Sequence, residues 1–224
     1  MKNLFDNDIP KAEPIDLSEP IINRTPLSEV YQEDCVEAMK RYADNHFDLA
    51  IVDPPYKNES NGLVAGFGRE GFSYVHFKAP SREYFLELFR ISKNQIIWGF
   101  NYFLELLPNT DSCIFWFKHQ NGHFAEGELA WCSTGKTRMV DRAYQKDIGN
   151  KIHPTQKPIY LYDWLLLNYA KPNDKILDTH LGSGSSRIAA YKNGFDFTGF
   201  EIDKEYFDKQ EKRFQDFKSQ TRMF

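Results

Sequence analysis

At 224 residues, with 41% hydrophobic and 16% aromatic side chains, the chain has material for one ordinary core and hardly for two. A net charge of −4 lacks the overall basic footprint of most nucleic-acid binders, and no apolar run approaches the roughly 20 residues needed to cross a bilayer. Three scattered cysteines, Cys35, Cys113 and Cys132, form no C-x-x-C pair, and His119 and His123 flank the turn residues Asn121 and Gly122, so neither a disulfide framework nor a metal site is expected.

Residues 1–26 carry Pro10, Pro14, Pro20 and Pro26 with little periodicity and read as a partly disordered arm before a single domain over 27–224. Their start has neither the basic nor the apolar segment of a secretory signal, so a soluble, cytoplasmic protein is expected. Ser28–Tyr31 reads as a short strand, residues 36–42 as a helix with Val36 and Met39 inward, and Phe47–Val52 as a buried strand. That strand must stop at Asp53-Pro54-Pro55, because two prolines cannot continue a central ladder. Residues 57–73 hold four glycines and predict a mobile loop. Ser81 caps a helix through Phe85, Leu88 and Phe89. Gln95–Trp98 is a further buried strand, and 112–118 with 128–133 predict an antiparallel hairpin. Pro158 opens an amphipathic helix carrying Leu161, Trp164 and Leu165. A strand ending at Asp178, a turn Gly182-Ser183-Gly184-Ser185, a helix, a strand ending at Glu201 and a last polar helix from Lys204 complete an α/β pattern with a largely parallel sheet.

Two segments carry chemistry. In Asp53-Pro54-Pro55-Tyr56 the aspartate carboxylate and the Pro54 carbonyl are two rigid acceptors, and Tyr56 offers a ring face for stacking. Two acceptors on the N–H bonds of a conjugated exocyclic amine free its lone pair for attack and stabilise the charge that develops on nitrogen. The second segment is a cofactor cradle. The glycines allow close backbone approach, the helix start offers free N–H groups, and Glu201, 23 positions after Asp178, stands where an acid accepts the hydroxyls of a ribose. Arg187 occupies the third position of the dinucleotide fingerprint, which disfavours a pyrophosphate. S-adenosylmethionine fits instead: a sugar diol for Glu201, an ammonium for acids near Asp178 or Asp53, and a carboxylate for nearby cationic or hydroxyl groups.

These motifs, together with His153-Pro154-Thr155-Gln156-Lys157-Pro158 between them, resemble the amino-methylating DNA methyltransferases of permuted motif order, the β group. The resemblance covers about residues 28–214. It implies a Rossmann-like S-adenosylmethionine-dependent methyltransferase fold, with a seven-stranded sheet in which all strands but one are parallel. On that template Ser28–Tyr31 and Phe47–Asp53 neighbour the cofactor strands in space. The resemblance places Asp34 near the cofactor adenine, and His153, Thr155 and Lys157 near its methionine end. It also assigns Asp178, His180, Gly182, Ser183, Gly184, Ser185 and Glu201 to the cofactor and Asp53, Pro54 and Tyr56 to catalysis. The loop departs from the family's Asp-Pro-Phe at Thr179 and His180, and a polar contact is expected from His180.

The implied activity is N6-methylation of an adenine flipped out of double-stranded DNA. The alternatives are N4-methylation of cytosine, an RNA substrate, or an inactive nucleic-acid-binding module of the same fold. Residues 134–152 are left for target recognition. From Thr134 to Lys157 there are six basic residues against two acidic ones, and Lys136, Arg138, Arg142 and Lys146 are candidate phosphate contacts. No membrane partner is implied, and homodimerisation is left open.

Overall fold

The structure, a computed structural model, describes residues 24–55, 79–120, 125–144 and 151–221. The expected arm up to residue 23, the glycine-bearing loop, Tyr56 and Lys146 lie outside the described residues.

The elements follow one another as strand β1 (Ser28–Gln32), helix α1 (Cys35–Met39), β2 (Phe47–Val52), α2 (Arg82–Ile91) and β3 (Ser92–Trp98), then β4 (Cys113–Phe117), β5 (Gly127–Cys132), β6 (Arg138–Asp141) and α3 (Ile159–Tyr169), and finally β7 (Lys175–Asp178), α4 (Ser185–Lys192), β8 (Asp196–Glu201) and α5 (Lys204–Thr221). Local chemistry sets several boundaries. Asp34 caps α1 by accepting from the backbone N–H groups of Val36 and Glu37, and Ser81 caps α2 through the Tyr84 N–H. Pro158 stands at the entrance of α3, where a missing N–H costs nothing.

The strands form one sheet in the order β1-β8-β7-β2-β3-β5-β4-β6. Among the described strands only β5 runs against the others, pairing antiparallel with both β3 and β4. The expected hairpin is thus present as β4 and β5, and the N-terminal strands flank the cofactor strands, β1 on β8 and β2 on β7. The sheet has one strand more than the seven implied by the resemblance. The extra edge strand β6 pairs parallel with β4 and arises inside the stretch assigned to target recognition, so four of those residues belong to the sheet.

Side chains of the central strands alternate between two cores. Leu49, Ile51, Ile96, Trp98 and Ile176 join the layer of α3 and α4, whereas Ala50, Val52, Ile97 and Leu177 join the layer of α1 and α2. Burial on both faces explains why these strands read as nearly continuous apolar runs. Helix α3 is covered more fully than an amphipathic helix would be: Tyr160, Leu161, Tyr162, Leu165 and Leu166 are all buried, and Leu167 is exposed. Among the described residues no helix is long and apolar enough to cross a membrane.

The topology reverses between β7 and β2. From β7 the chain proceeds through α4 to β8 on one side, and from β2 it proceeds through α2 to β3 on the other. The crevice outside the carboxyl ends of two such strands is where open α/β sheets bind ligands. Asp178 ends β7 there, and Asp53 directly follows β2.

Candidate active site

Asp53 and Pro54 leave the sheet at this crevice, with Pro54 buried. The Asp53 side chain is 15% exposed, and its carboxylate is paired. Its Oδ2 accepts from the Lys157 ammonium, whose side chain is 4% exposed and also contacts Glu128 Oε2 at 3.1 Å. Glu128 Oε1 in turn accepts from Lys118 Nζ at 2.9 Å. Burial pushes the Asp53 carboxyl above its ordinary range, Lys157 opposes that effect and Glu128 adds to it. For Glu128 the two lysines outweigh burial and hold its carboxyl below the ordinary range. The four side chains come from the end of β2, the segment before α3, the start of β5 and the residue after β4.

On the cofactor side, Gly182 and Gly184 have φ of 51° and 69°, conformations that side-chain-bearing residues rarely adopt. A β-carbon at Gly182 would also lie 3.4 Å from the His153 ring. Glu201 anchors this turn: Oε2 accepts from the Gly182 N–H at 2.8 Å and Oε1 from the Asp203 N–H at 2.9 Å. Burial raises its carboxyl while these N–H groups lower it, and the net direction is upward. Asp178 accepts from the Ser186 hydroxyl at 2.5 Å and from the His180 N–H at 3.0 Å, yet burial pushes its carboxyl up to about 7.

At the departure from Asp-Pro-Phe the half-buried His180 makes polar and aromatic contacts. His180 Nδ1 lies 2.9 Å from Thr179 Oγ1, which lies 2.7 Å from the Tyr84 hydroxyl. The His180 ring also meets the Tyr84 ring edge-on at 5.3 Å, and Nε2 approaches Cys35 Sγ at 4.0 Å. Burial lowers His180 to about 4, so it is a neutral imidazole at physiological pH. Both contacts are within the protein, a polar one to Thr179 and an aromatic one to Tyr84.

The structure divides the His153–Pro158 segment between the two halves. His153 packs on Gly182 and meets Tyr206 edge-on at 4.4 Å, with the exposed Thr155 hydroxyl 3.1 Å from its Nδ1. Lys157, assigned above to the cofactor, points to Asp53 instead. Ser183 Oγ and Ser185 Oγ lie 3.1 Å apart at the helix start, where Arg213 reaches the Ser183 carbonyl at 2.7 Å and the Ser185 hydroxyl at 2.9 Å. Asp34 is engaged as the α1 cap, one residue from Cys35 and so close to His180. Arg187, at the third fingerprint position, is structural: it binds Ser28 Oγ, Gln210 Oε1 and Glu211 Oε2 and lies 3.8 Å over the Phe214 ring.

Of the candidate phosphate contacts, the described Lys136, Arg138 and Arg142 divide between the two ends of β6. Arg138 opens β6 opposite Ile114, at the amino end of β4, and its guanidinium binds Asn168 Oδ1 at 2.8 Å at the far end of α3. Lys136 precedes it, so both lie at the edge of the sheet away from Asp53. Arg142 follows β6 at the site end, with its guanidinium 4.2 Å over the Tyr160 ring.

Sequence reasoning missed Lys118, Glu128 and Tyr84. The available signal was a charge closing or interrupting an apolar strand, in Cys113-Ile114-Phe115-Trp116-Phe117-Lys118 and in Gly127-Glu128-Leu129-Ala130-Trp131. Such a charge is buried only when paired. Nothing local marks Tyr84, which sits on the apolar face of α2.

In this open α/β sheet Asp53 and Pro54 thus stand on one side of the switch point, and a glycine turn closed by Glu201 stands on the other. Residues 118–212 match the N6_N4_Mtase family model, described as DNA methylase. The chain is 25% identical to the Type II methyltransferase M.HinfI of Haemophilus influenzae over 255 aligned positions, spanning 86% of this chain and 69% of that one. Its fold is similar to that of the M1.HpyAVI–SAM complex, with a TM-score of 0.59, 20% identity and coverage of 83% of this chain and 98% of that one. It is also similar to the cytosine-N4-specific PvuII DNA methyltransferase, with a TM-score of 0.56, 13% identity and coverage of 86% and 92%. Residues 118–212 thus resemble an N6/N4-type DNA methylase domain, and the chain shares its fold with both solved methyltransferases.

Proposed function

We propose that the chain methylates N6 of adenine in double-stranded DNA, using S-adenosylmethionine, with the target base flipped into the crevice between β2 and β7. The observation that carries this reading is the position of Asp53-Pro54 at the carboxyl end of β2, beside the strand that ends in Asp178. Asp53 Oδ2 is held by Lys157, and Oδ1 is the oxygen we assign to one N–H of the target amine. The rigid Pro54 carbonyl takes the other, and the Tyr56 ring stacks the base. Because these acceptors are fixed before the reaction, they stabilise positive charge on the amine nitrogen without reorganising.

The cofactor side fits S-adenosylmethionine by its donor set. Glu201 is fixed at the mouth of the turn by two backbone N–H groups, and each carboxylate oxygen retains acceptor capacity for a ribose diol. Gly182 and Gly184 admit close approach, and the Ser183 and Ser185 hydroxyls stand at the start of α4. Asp178 provides a buried carboxylate for a cationic ligand. When bound, S-adenosylmethionine supplies an electrophilic methyl group on a sulfonium. Duplex DNA would meet the protein at the carboxyl edge of the sheet, with Arg142 as a phosphate contact.

Adenine is favoured over cytosine by Asp53, since cytosine-N4 enzymes of the resembled family more often carry serine there. Methylated duplex digested to nucleosides should yield N6-methyladenine, and N4-methylcytosine alone would overturn the base assignment. Asp53→Ala should lower turnover by about 10²- to 10³-fold, with cofactor affinity changed by no more than a few fold. Turnover equal to the parent's would remove Asp53 from the site.

A further inference from the structure

The buried charges behind Asp53 need a reason, because an ion pair of this kind is expensive to desolvate and a neutral core would be cheaper. Lys157 supplies half of one: a carboxylate buried beside Pro54 stays ionised and oriented only if a cation holds it. That cation creates a second difficulty. Methyl transfer makes the amine nitrogen cationic, and a bare ammonium on the far oxygen of Asp53 would repel the charge that Asp53 is there to stabilise.

Glu128 addresses this difficulty. Its Oε2 lies 3.1 Å from Lys157 Nζ, the same nitrogen that donates to Asp53 Oδ2. Its other oxygen is held by Lys118 Nζ at 2.9 Å, so the carboxylate cannot swing away. Lys157 also lies over the Trp98 ring, 5.4 Å from its centroid, which limits its own freedom. Asp53, Lys157, Glu128 and Lys118 together carry no net charge, with the Glu128 carboxylate between the two ammonium groups.

We infer that Glu128 is a positioning residue for methyl transfer: by sharing the Lys157 ammonium with Asp53, it lets Lys157 fix the catalytic carboxylate without placing an uncompensated positive charge beside the reacting nitrogen. Lys118 secures Glu128 from the β4 end. The inference rests on the function proposed above.

The test is Glu128→Gln, which keeps the shape and removes the charge. The groups that face Asp53 are Lys157 before α3, Glu128 on β5, Lys118 after β4, Asp178 on β7, Tyr84 on α2 and Tyr162 on α3. Of these only Glu128 changes in the variant. Removing an anion should shift the titration of Asp53, followed by carboxyl-carbon NMR on the free protein, to lower pH. The plateau kcat in single-turnover methyl transfer should nevertheless fall by about 10- to 100-fold. Cofactor affinity by calorimetry should stay within about threefold, which also reports an intact fold. Glu128→Asp, which restores the charge one methylene further back, should recover part of both effects. It serves as the test if Glu128→Gln does not fold.

A simple loss of packing would lower kcat without moving the Asp53 titration downward. A plateau kcat within twofold of the parent, or an Asp53 titration that stays put or rises, overturns the role of Glu128. Retained turnover in Asp53→Ala would instead overturn the site reading on which this role depends.

Discussion

On the proposed reading, with the cation of the cofactor beside Asp178, cofactor binding should depend on pH. Its carboxyl is buried at the end of β7 and accepts only a hydroxyl and one backbone N–H, and burial pushes it up to about 7. The free protein therefore carries a proton on Asp178 through the mildly acidic range, and a cationic ligand beside it must expel that proton. Affinity for S-adenosylmethionine should rise about tenfold per pH unit up to about 7 and level off above, because one proton is released per cofactor bound. The histidines of the site do not share this window, since burial lowers His153 to about 3 and His180 to about 4. Asp178→Asn keeps an acceptor for the His180 N–H and cannot titrate, so its affinity should be lower and flat with pH. The same substitution bears on stability. The folded carboxyl binds its proton more tightly than the unfolded one near 3.9, so this group favours folding most in acid and loses that contribution as pH rises to about 7. At ~1.4 kcal/mol per pH unit the difference is bounded at roughly 4 kcal/mol, which the asparagine variant should regain in part at pH 8. Calorimetry in two buffers of different ionisation enthalpy measures the proton release directly. Affinity that is flat from pH 5.5 to 8, with no buffer-dependent heat, would refute the reasoning.

Two further outcomes follow from side chains whose sequence context is ambiguous. Arg187→Met should cost about 3–5 kcal/mol in urea denaturation, because a guanidinium 4% exposed leaves Glu211 and Gln210 without their partner and uncouples α5 from α4. A loss under 1 kcal/mol would show that this network is not holding the helices together. Neutralising Lys136 and Arg138 should leave the salt dependence of DNA binding unchanged, whereas Arg142→Gln should reduce the slope by about one. A reduced slope in the Lys136 and Arg138 variant would mean that DNA reaches the amino edge of the sheet.

The legible parts of this molecule are those where one local rule decides. Two prolines end β2, an unbroken apolar run marks a strand covered on both faces, and Ser81 and Pro158 open helices by their own geometry. The expected hairpin and the pairing of the N-terminal strands with the cofactor strands are also present. What the sequence concealed depends on partners distant along the chain. Arg138 reads as a basic residue in a polar stretch, and only its pairing opposite Ile114 shows that it sits at the far edge of the sheet. Lys118 and Glu128 look like solvated charges until β4 and β5 pair and turn both toward Lys157. Lys157 matched a cofactor-binding segment, but a lysine side chain is long enough to serve either half, and its direction is set by the carboxylate it finds.

That direction explains why a segment of six residues between the two motifs matters to both. His153 packs against the left-handed Gly182 and the Tyr206 ring, so its position depends on the cofactor turn being formed. Four residues later Lys157 holds Asp53, the acceptor for the target amine in the proposed function. Between them Gln156 accepts from the Ile152 N–H at 3.0 Å, and its carbonyl accepts from the Tyr144 hydroxyl at 3.1 Å, which fixes the segment at its centre. Strands β7 and β2 are direct neighbours, about 5 Å apart in the hydrogen-bonding direction, and this short bridge spans the ends of both. The segment thus contacts the glycine turn through His153 and the Asp53 carboxylate through Lys157. The bridge lies on one continuous segment, the one that leads into α3.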